Sequence, residues 1–559
     1  MPSLSPDRKS VSVDDIEVKA TDSFKSGVPV NQEIGIWRRI REPKPHPDAI
    51  ATQPSVFDDP AGLRAYLPPS QYENAHRFDP LARWTWHEEN TLVRKIDTRI
   101  MIWTAFMFFC LELDRSNITQ ANTDNFLDDL GMTTDDFNLG QVIFKLSFLC
   151  AELPSQLIAK RVGPERWLPT QMVLWSVVAF SQFWLSGKGS FLATRCLLGV
   201  LQGGFVPDTV LYLSYWYNKS ELPIRLAWFW TSYYIADMVG ALLATGLLQL
   251  RGVGGRAGWQ YLFLVEGLLT CFVGFASYAL MPAGPTQTKR WSTPKGWFTE
   301  REEVIMVNRI LRDDPSKSDM HNRQALSLHM IWSALKDWGL WPLYILGIVH
   351  AIPTGPPQTY LTLSLRSLGF TTTQSTLLSI PATFVGMCNL LLTSFLSELV
   401  KCRTLATIIL PLWALPLLCA LYTFDSDTSQ WVYFAVVTLI VGYPYIHPIQ
   451  VGWTSRNSYS VRTRTVSASL YNMFVQLGGI CYAYIYQNDD KPLYKRGNRI
   501  LIGICCMNIF LYIGTFFFYR TINKRRDRIW NAMTAEQQRD YMETTTDEGN
   551  KRLDFRFGY

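Results

Sequence analysis

Residues 98–120 read TRIMIWTAFMFFCLELDRSNITQ. At 1.5 Å per residue, some 20 apolar residues of helix cross the roughly 30 Å hydrocarbon layer of a bilayer, and this stretch is long enough to do so. Yet Asp114 and Arg115 lie inside it. A charge in hydrocarbon costs about 3 kcal/mol on insertion scales, so such residues face a polar interior and mark a solute or ion path. The pattern recurs. Lys145 and Glu152 fall in the second apolar stretch, Arg195 in the fourth, Asp237 in the fifth and Glu266 in the sixth. Nearly all of these charges sit in the first half of the chain. Arg115, Lys145 and Arg195 are cations, which points to a path for a small anion.

Twelve such stretches are read along the 559 residues, at 98–120, 137–158, 167–187, 190–213, 224–249, 258–281, 339–362, 373–396, 404–424, 429–451, 463–485 and 499–521. Only 18% of residues are charged, against about 25% in soluble domains, and the deficit lies between residues 96 and 522. The expected class is an all-α membrane protein with twelve transmembrane helices in two six-helix bundles, 96–282 and 336–522. Residues 1–95 read as a polar, disordered cytoplasmic tail with short helices near Tyr72 and Trp84, and without the early apolar core of a signal peptide. Residues 283–335 read as a cytoplasmic central loop. Within it Thr299 and Glu302 form a capping box opening a helix that ends near Asp313-Asp314-Pro315. Residues 523–559 read as a charged cytoplasmic tail in which Thr534 and Gln537 cap a short helix.

Orientation follows from the basic residues. Lys160, Arg161 and Arg166 follow span two, Lys219 and Arg225 follow span four, and Lys524, Arg525, Arg526 and Arg528 follow span twelve. The loop after span one instead holds Asp124, Asp128, Asp129, Asp135 and Asp136. The positive-inside rule places both tails and the central loop in the cytoplasm, with Arg251, Arg256 and Arg366 running against it. An internal repeat is also visible. Leu130-Gly131-Met132-Thr133-Thr134 before span two matches Leu368-Gly369-Phe370-Thr371-Thr372 before span eight, at an offset of 238 residues. The Lys160–Glu165 turn falls on Glu398–Arg403 at that same offset. Two six-helix halves in parallel repeat are the plan of major facilitator transporters.

Several motifs resemble the fungal anion:cation symporters of that superfamily, the group of allantoate, nicotinate and pantothenate permeases. They include Leu113-Asp114-Arg115-Ser116-Asn117, Glu152-Leu153-Pro154-Ser155-Gln156, Arg195 through Gly199, and Glu221-Leu222-Pro223-Ile224-Arg225. Trp259 through Gly267, Gly296 through Glu302, and Trp453 with Asn457 add to the set. Together they cover about residues 95–525. The Gln202-Gly203-Gly204-Phe205 and Pro207-Asp208 wording is similar to the branch of alternative sulfate and sulfonate transporters. In the family, the position of Gln202 is commonly a glutamate that takes part in proton coupling; here it is an amide and does not titrate. The resemblance therefore implies Asp114, which matches the other family carboxylate, as the proton carrier.

Arg195 and Gln202 are seven residues apart and share a helix face. The guanidinium of Arg195 offers a planar fork that fits a carboxylate or sulfonate; its structural alternative is a fixed partner for Asp114 or Glu266. Lys145 shares a face with Glu152 and reads either as a second substrate cation or as a lysine packed against span one or eleven. Arg115 and Gln202 join the candidate substrate ligands. From the second half come His350, Tyr443, His447 and Asn472, and Pro353, Pro356 and Pro357 are expected to break span seven. Glu152, Asp208, Arg225, Glu266, Lys160 and Arg161 read as gate or structural residues. Nine of the ten cysteines lie in apolar runs, Cys402 being the exception, without metal or disulfide spacing.

With no nucleophile triad or phosphate loop, the expectation is a non-enzyme without cofactor. Its expected partners are a small anionic solute, protons and lipid, with no nucleic acid. A monomer in the plasma membrane is expected rather than the vacuolar one. The rival readings are a nutrient sensor of transporter fold and an exchanger or uniporter.

Overall fold

The computed structural model describes residues 46–58, 67–68, 72–218, 221–289, 294–313, 315, 332, 334–400, 402–425, 427–458, 461–491, 493–545 and 549–559. All regular elements among them are helical, with one isolated bridge between Ile50 and Thr85. The chain divides into two compact units.

The first unit is drawn from Met1–Arg99, Leu213–Leu222 and Pro282–Arg323. Here the expectation of a disordered tail is corrected in its second half. Residues 75–77 form a turn of 3₁₀ helix, and Trp86–Ile96 is an α-helix opened by a Thr85–Glu88 capping box. Phe57 and Tyr72 are buried against Val307 and Leu311 of the helix Glu300–Asp313. That apolar contact is what a tail lacking a hydrophobic core could not make alone. Residues 1–45 lie outside the described residues. The expected Thr299–Glu302 box is present, Thr299 N donating to Glu302 Oε2 at 2.9 Å.

Ion pairs then fix the register of this unit. Arg309, only 3% exposed, donates to Glu221 at 2.8 and 3.0 Å and to the Trp216 carbonyl at 3.0 Å. Arg312 reaches Asp58 at 2.5 Å, Arg77 reaches Glu303 at 2.9 Å, and Lys95 pairs with Glu302. Removing one partner of a buried pair strands the other charge at a cost of about 3–5 kcal/mol. Arg309→Ala is therefore expected to open this unit to limited proteolysis between residues 46 and 96. An unchanged cleavage pattern would contradict that role.

The second unit comprises Ile100–Tyr212, Pro223–Met281 and Gln324–Tyr559. Seven helices in the described residues are long and apolar enough to cross a membrane: Thr134–Ala159, Lys188–Ser214, Ile224–Leu250, Gly258–Leu280, Thr372–Ser397, Arg403–Thr423 and Lys495–Ala532. The other stretches read as spans are also helical but polar or interrupted. Ile102–Ala121 carries Glu112, Asp114 and Arg115. Pro164–Ser181 and Val461–Ala483 are diluted by polar residues. Span seven breaks into Trp341–Val349, Gly355–Thr359 and Leu361–Ser367, at the prolines expected to break it. Span ten breaks into Gln430–Val441 and His447–Asn457. That second break lies over Gly442-Tyr443-Pro444-Tyr445-Ile446 and was not expected.

The sequence repeat has a structural meaning. Gly131 and Gly369 both adopt positive φ, +60° and +99°, a region an L side chain rarely enters. Two residues later Thr133 and Thr371 each cap a helix in a capping box, with Asp136 and Gln374. Both halves thus start their second helix by the same turn and cap. The charged C-terminal stretch is also packed. Thr534 caps Ala535–Thr544 as expected, and the chain then returns so that the Phe557 ring stacks on Tyr519 at 5.0 Å. The Gly558 carbonyl accepts from Trp453 Nε1 at 2.6 Å and Asn457 Nδ2 at 3.1 Å.

Candidate functional site

Thr134–Val162 and Val461–Ala483 run antiparallel against each other, one from each half of the second unit. A ladder of polar contacts follows them. Asn138 donates to the Tyr486 carbonyl at 3.2 Å, Lys145 to the Tyr482 hydroxyl at 3.0 Å, and Gln156 to Ser469 at 2.7 Å. Glu152 lies between the last two rungs near Asn472. Both of its carboxylate oxygens, and Asn472 Oδ1, are buried without a hydrogen-bond partner among the described residues. Of the two sequence alternatives for Lys145, packing on span eleven is what is seen, with its ammonium 4.6 Å from the Tyr482 ring centroid. The same lysine also lines a small cavity with Asn138, Gln141, Pro356, Thr359, Tyr360 and Tyr482. It is therefore a cation at a small cavity between the halves.

One end of this opening is sealed. Tyr360 bonds Asn138, Thr362 donates to the Thr119 carbonyl at 3.0 Å, and Arg366 reaches Asn125 at 2.6 Å and the Thr123 carbonyl. An apolar cluster including Phe126, Phe137, Leu361, Leu365 and Phe370 joins both halves at that end. Arg251 is bound by Asp124 at 2.8 Å and by Asp129. Two of the arginines that ran against the positive-inside pattern thus have fixed local partners.

The charged residues of Ile102–Ala121 point two ways. Asp114, 1% exposed, accepts from Trp175 Nε1 at 3.1 Å and lies near Thr270 and Glu266. These belong to Pro164–Ser181 and Gly258–Leu280 of its own half. Arg115 turns elsewhere. Its Nη1 donates to Glu112 at 2.7 Å, its Nε to Gln202 Oε1 at 3.0 Å, and its guanidinium lies 5.2 Å from the Phe148 ring. Tyr445, from the broken span ten of the other half, is close enough to feel the charges of Glu112 and Arg115. Asp237, half-buried on Leu222–Leu247, is near Glu112, Ser116 and Tyr233.

Arg195 pairs with neither Asp114 nor Glu266, the alternatives raised from sequence. It lies over Phe144 at 4.5 Å, donates to Gln141 Oε1 at 3.4 Å, and keeps a buried Nε without a hydrogen-bond partner. Glu266 is buried beside Asn117 and Asp114. Asp208 is fully buried and accepts from Ser155 at 3.1 Å, the same hydroxyl that takes a bond from Trp167 at 2.9 Å. Arg225 is half-buried and Arg161 exposed, while the side chain of Lys160 lies outside the described ones.

A cluster of rings also joins the two halves. Tyr445 stacks on Tyr233 at 6.1 Å and His447 packs edge-on to Trp230 at 5.4 Å, each contact crossing from one half to the other. His447 also stacks on Tyr471 at 5.6 Å and on His350 at 6.2 Å. Tyr443 adjoins Tyr445 at 6.2 Å. His350 Nδ1 lies 2.9 Å from the Gly347 carbonyl. The bend at 442–446 aims these rings inward, as broken helices do in transport sites. Sequence reasoning missed Glu112, Trp230, Tyr233, Tyr482 and Gln141 as parts of this region. For Glu112 a signal existed: it lies three residues before Arg115, the spacing of a same-face pair.

The two halves of the second unit thus bring buried cations and aromatic rings together where they meet. The chain belongs to the Major Facilitator Superfamily, whose sequence profile matches residues 104–482. An uncharacterized transporter of Saccharomyces cerevisiae is 49% identical over 490 residues, covering 87% of this chain and 90% of that one. An MFS-type transporter of Penicillium expansum is 26% identical over 462 residues, covering 82% and 87%. In fold, the chain is similar to the xylose transporter of E. coli in a partially occluded inward open conformation, at a TM-score of 0.57 and 12% identity over 75% of this chain and 97% of that one. It is likewise similar to a bacterial homologue of the human lysosomal transporter Spinster, inward-facing and unoccupied, at 0.55 and 14% over 75% and 97%.

Proposed function

We propose that this protein is a secondary active transporter that imports a small anion of the carboxylate, sulfonate or sulfate class by proton symport and alternating access. The reading includes twelve spans, cytoplasmic tails and central loop, a monomer, and the plasma membrane. The observation that carries it is the placement of Arg115 and Lys145. Both are cations at the space between the halves, Arg115 within electrostatic reach of Tyr445 and Lys145 bonded to Tyr482. A cation in a low-dielectric space attracts an anion far more strongly than it would in water, and while Arg115 is already paired with Glu112, Lys145 meets a neutral hydroxyl. In this reading His350, Tyr443, His447 and Asn472 supply ring faces and amide surface for the rest of the solute. The motifs shared with the fungal anion:cation symporters support the same class of cargo.

The test is uptake by cells expressing the full chain, screened over sulfonates, sulfate, carboxylate vitamins and ureides, with and without a protonophore. One anion class is expected to accumulate, more at lower external pH, and to stop accumulating with the protonophore. Binding without accumulation would favour a nutrient sensor. Accumulation indifferent to the protonophore would favour an exchanger, the reading that Gln202 brings nearest. Arg195→Lys is expected to cut uptake about tenfold, since lysine keeps the charge but loses the fork. Normal uptake by that variant would remove Arg195 from the anion path.

A further inference from the structure

Resting on the solute site proposed above, we propose that residues 549–559 form a strap on the inner arm of span ten, and that strap docking and solute binding strengthen each other through that arm. Two asparagines hold consecutive residues of the segment by the backbone. Asn523 Nδ2 donates to the Phe557 carbonyl at 2.8 Å, and the Phe557 N–H donates to Asn523 Oδ1 at 2.9 Å. Asn457 treats Gly558 in the same way, donating to its carbonyl at 3.1 Å and accepting from its N–H at 2.8 Å. Trp453 Nε1 adds a further bond to that carbonyl at 2.6 Å. Each amide thus exchanges both backbone bonds with one residue, as a neighbouring strand would. Trp453 and Asn457, a pair among the sequence motifs, are the residues of span ten that make these bonds.

The arm is the helix His447–Asn457, separated from Gln430–Val441 by the break over 442–446. At that break the Gly442 carbonyl accepts from Asn389 Nδ2 at 2.6 Å, so the two pieces of span ten are joined by a hinge and not by a continuous helix. His447 opens the arm among the rings. Asn457 closes it, ten residues or about 15 Å away. One helical rod therefore meets the proposed solute site at one end and the strap at the other. The strap ties the far end to Lys495–Ala532 through Asn523, and to the start of span seven through Asn550. Asn550 Nδ2 donates to Asp337 at 2.6 Å and to the Asn457 carbonyl at 3.2 Å. Phe557, 3% exposed, packs so tightly between these elements that a Cβ at Gly339 would lie 2.9 Å from its ring.

Ordering a chain segment costs conformational entropy at every residue. A strap held by a few side chains is therefore a local unit that opens well before the whole protein unfolds. A solute seated against His447 orders the near end of the arm, and the docked strap orders its far end. Whichever binds first leaves less freedom for the second to remove, which is positive coupling. Such coupling is reciprocal. The factor by which solute favours the docked strap equals the factor by which the docked strap favours solute.

The experiment uses the full chain in lipid nanodiscs with the anion found by the uptake screen. Amide hydrogen exchange is followed in peptides covering residues 549–559, and anion affinity is measured by equilibrium binding. In the native chain, saturating anion is expected to slow exchange of this segment about tenfold. F557A removes the ring that seats the strap. Its segment is expected to exchange freely, and its anion Kd to rise by the same factor of about ten. N550A, which loses only the bonds to Asp337 and Asn457, is expected to move both readings in the same direction by a smaller amount. It carries both measurements should F557A give no folded protein. E536Q, an exposed change on the preceding helix, is expected to match the native chain in both. A bound anion that leaves exchange of 549–559 unchanged, a released strap with native affinity, or a strap still protected in F557A would each overturn the proposal. A native chain that protects 549–559 but binds none of the screened anions would instead overturn the transport reading beneath it.

Discussion

Arg115→Ala is expected to abolish uptake, by at least about a hundredfold, while the protein still reaches the membrane. The guanidinium is the common partner of Glu112 and Gln202. Removing it strands a carboxylate whose side chain is only 8% exposed, and breaking a buried pair from one side costs about 3–5 kcal/mol. A hundredfold in rate or affinity is about 2.7 kcal/mol, slightly less than that cost. Arg115→Lys is expected to recover little. A single ammonium cannot donate along both directions, to Glu112 and to Gln202, and still present a planar edge to an anion. Radiolabelled uptake with surface-expression controls decides the matter. Uptake within threefold of native in the alanine variant would exclude Arg115 from the transport path.

Gly478→Leu is expected to remove the folded protein altogether. A side chain built there would drive its Cβ into the Ile348 carbonyl oxygen and place it 2.8 Å from the carbonyl carbon. Those are backbone atoms of the neighbouring segment, and no rotamer relieves the clash. Trp341–Val349 and Val461–Ala483 would have to separate, and overpacking of this kind costs at least about 1–3 kcal/mol. Gly503→Ala is the control, since nothing lies within 4 Å of the added atom and alanine favours helix by up to about 1 kcal/mol. The check is the yield of monodisperse protein in detergent. A normal profile for the leucine variant would show that the helices do not approach this closely.

The membrane class, the superfamily and the break in span seven were legible because each rests on a local pattern: apolar runs, a repeated turn-and-cap motif, and proline. The pairing of site residues was not. Arg195 and Gln202 were assigned one face by periodicity, yet their partners, Gln141 and Arg115, come from different helices. Periodicity places a side chain on its own helix but does not say which neighbour meets it. Asp114 illustrates the same limit. Its charge inside an apolar span marked it correctly as buried, but its hydrogen bond to Trp175 and its proximity to Glu266 depend on how Pro164–Ser181 and Gly258–Leu280 pack behind it. Likewise the folded 72–96 segment looked disordered because its apolar partners, Val307 and Leu311, lie more than 200 residues away in sequence.

The two halves begin their second helices alike but furnish the space between them differently. Formal charge comes from the first half, and the ring-bearing bend at 442–446 from the second. On the proposed reading, the first half grips the anionic group while the second half's rings meet the remainder of the solute. Exchanging Tyr443, Tyr445 and His447 among relatives is a route by which one ancestral carrier can acquire new cargoes while its energy source stays the same. Diversification in such a lineage is then expected to be written mainly in the second half of the gene.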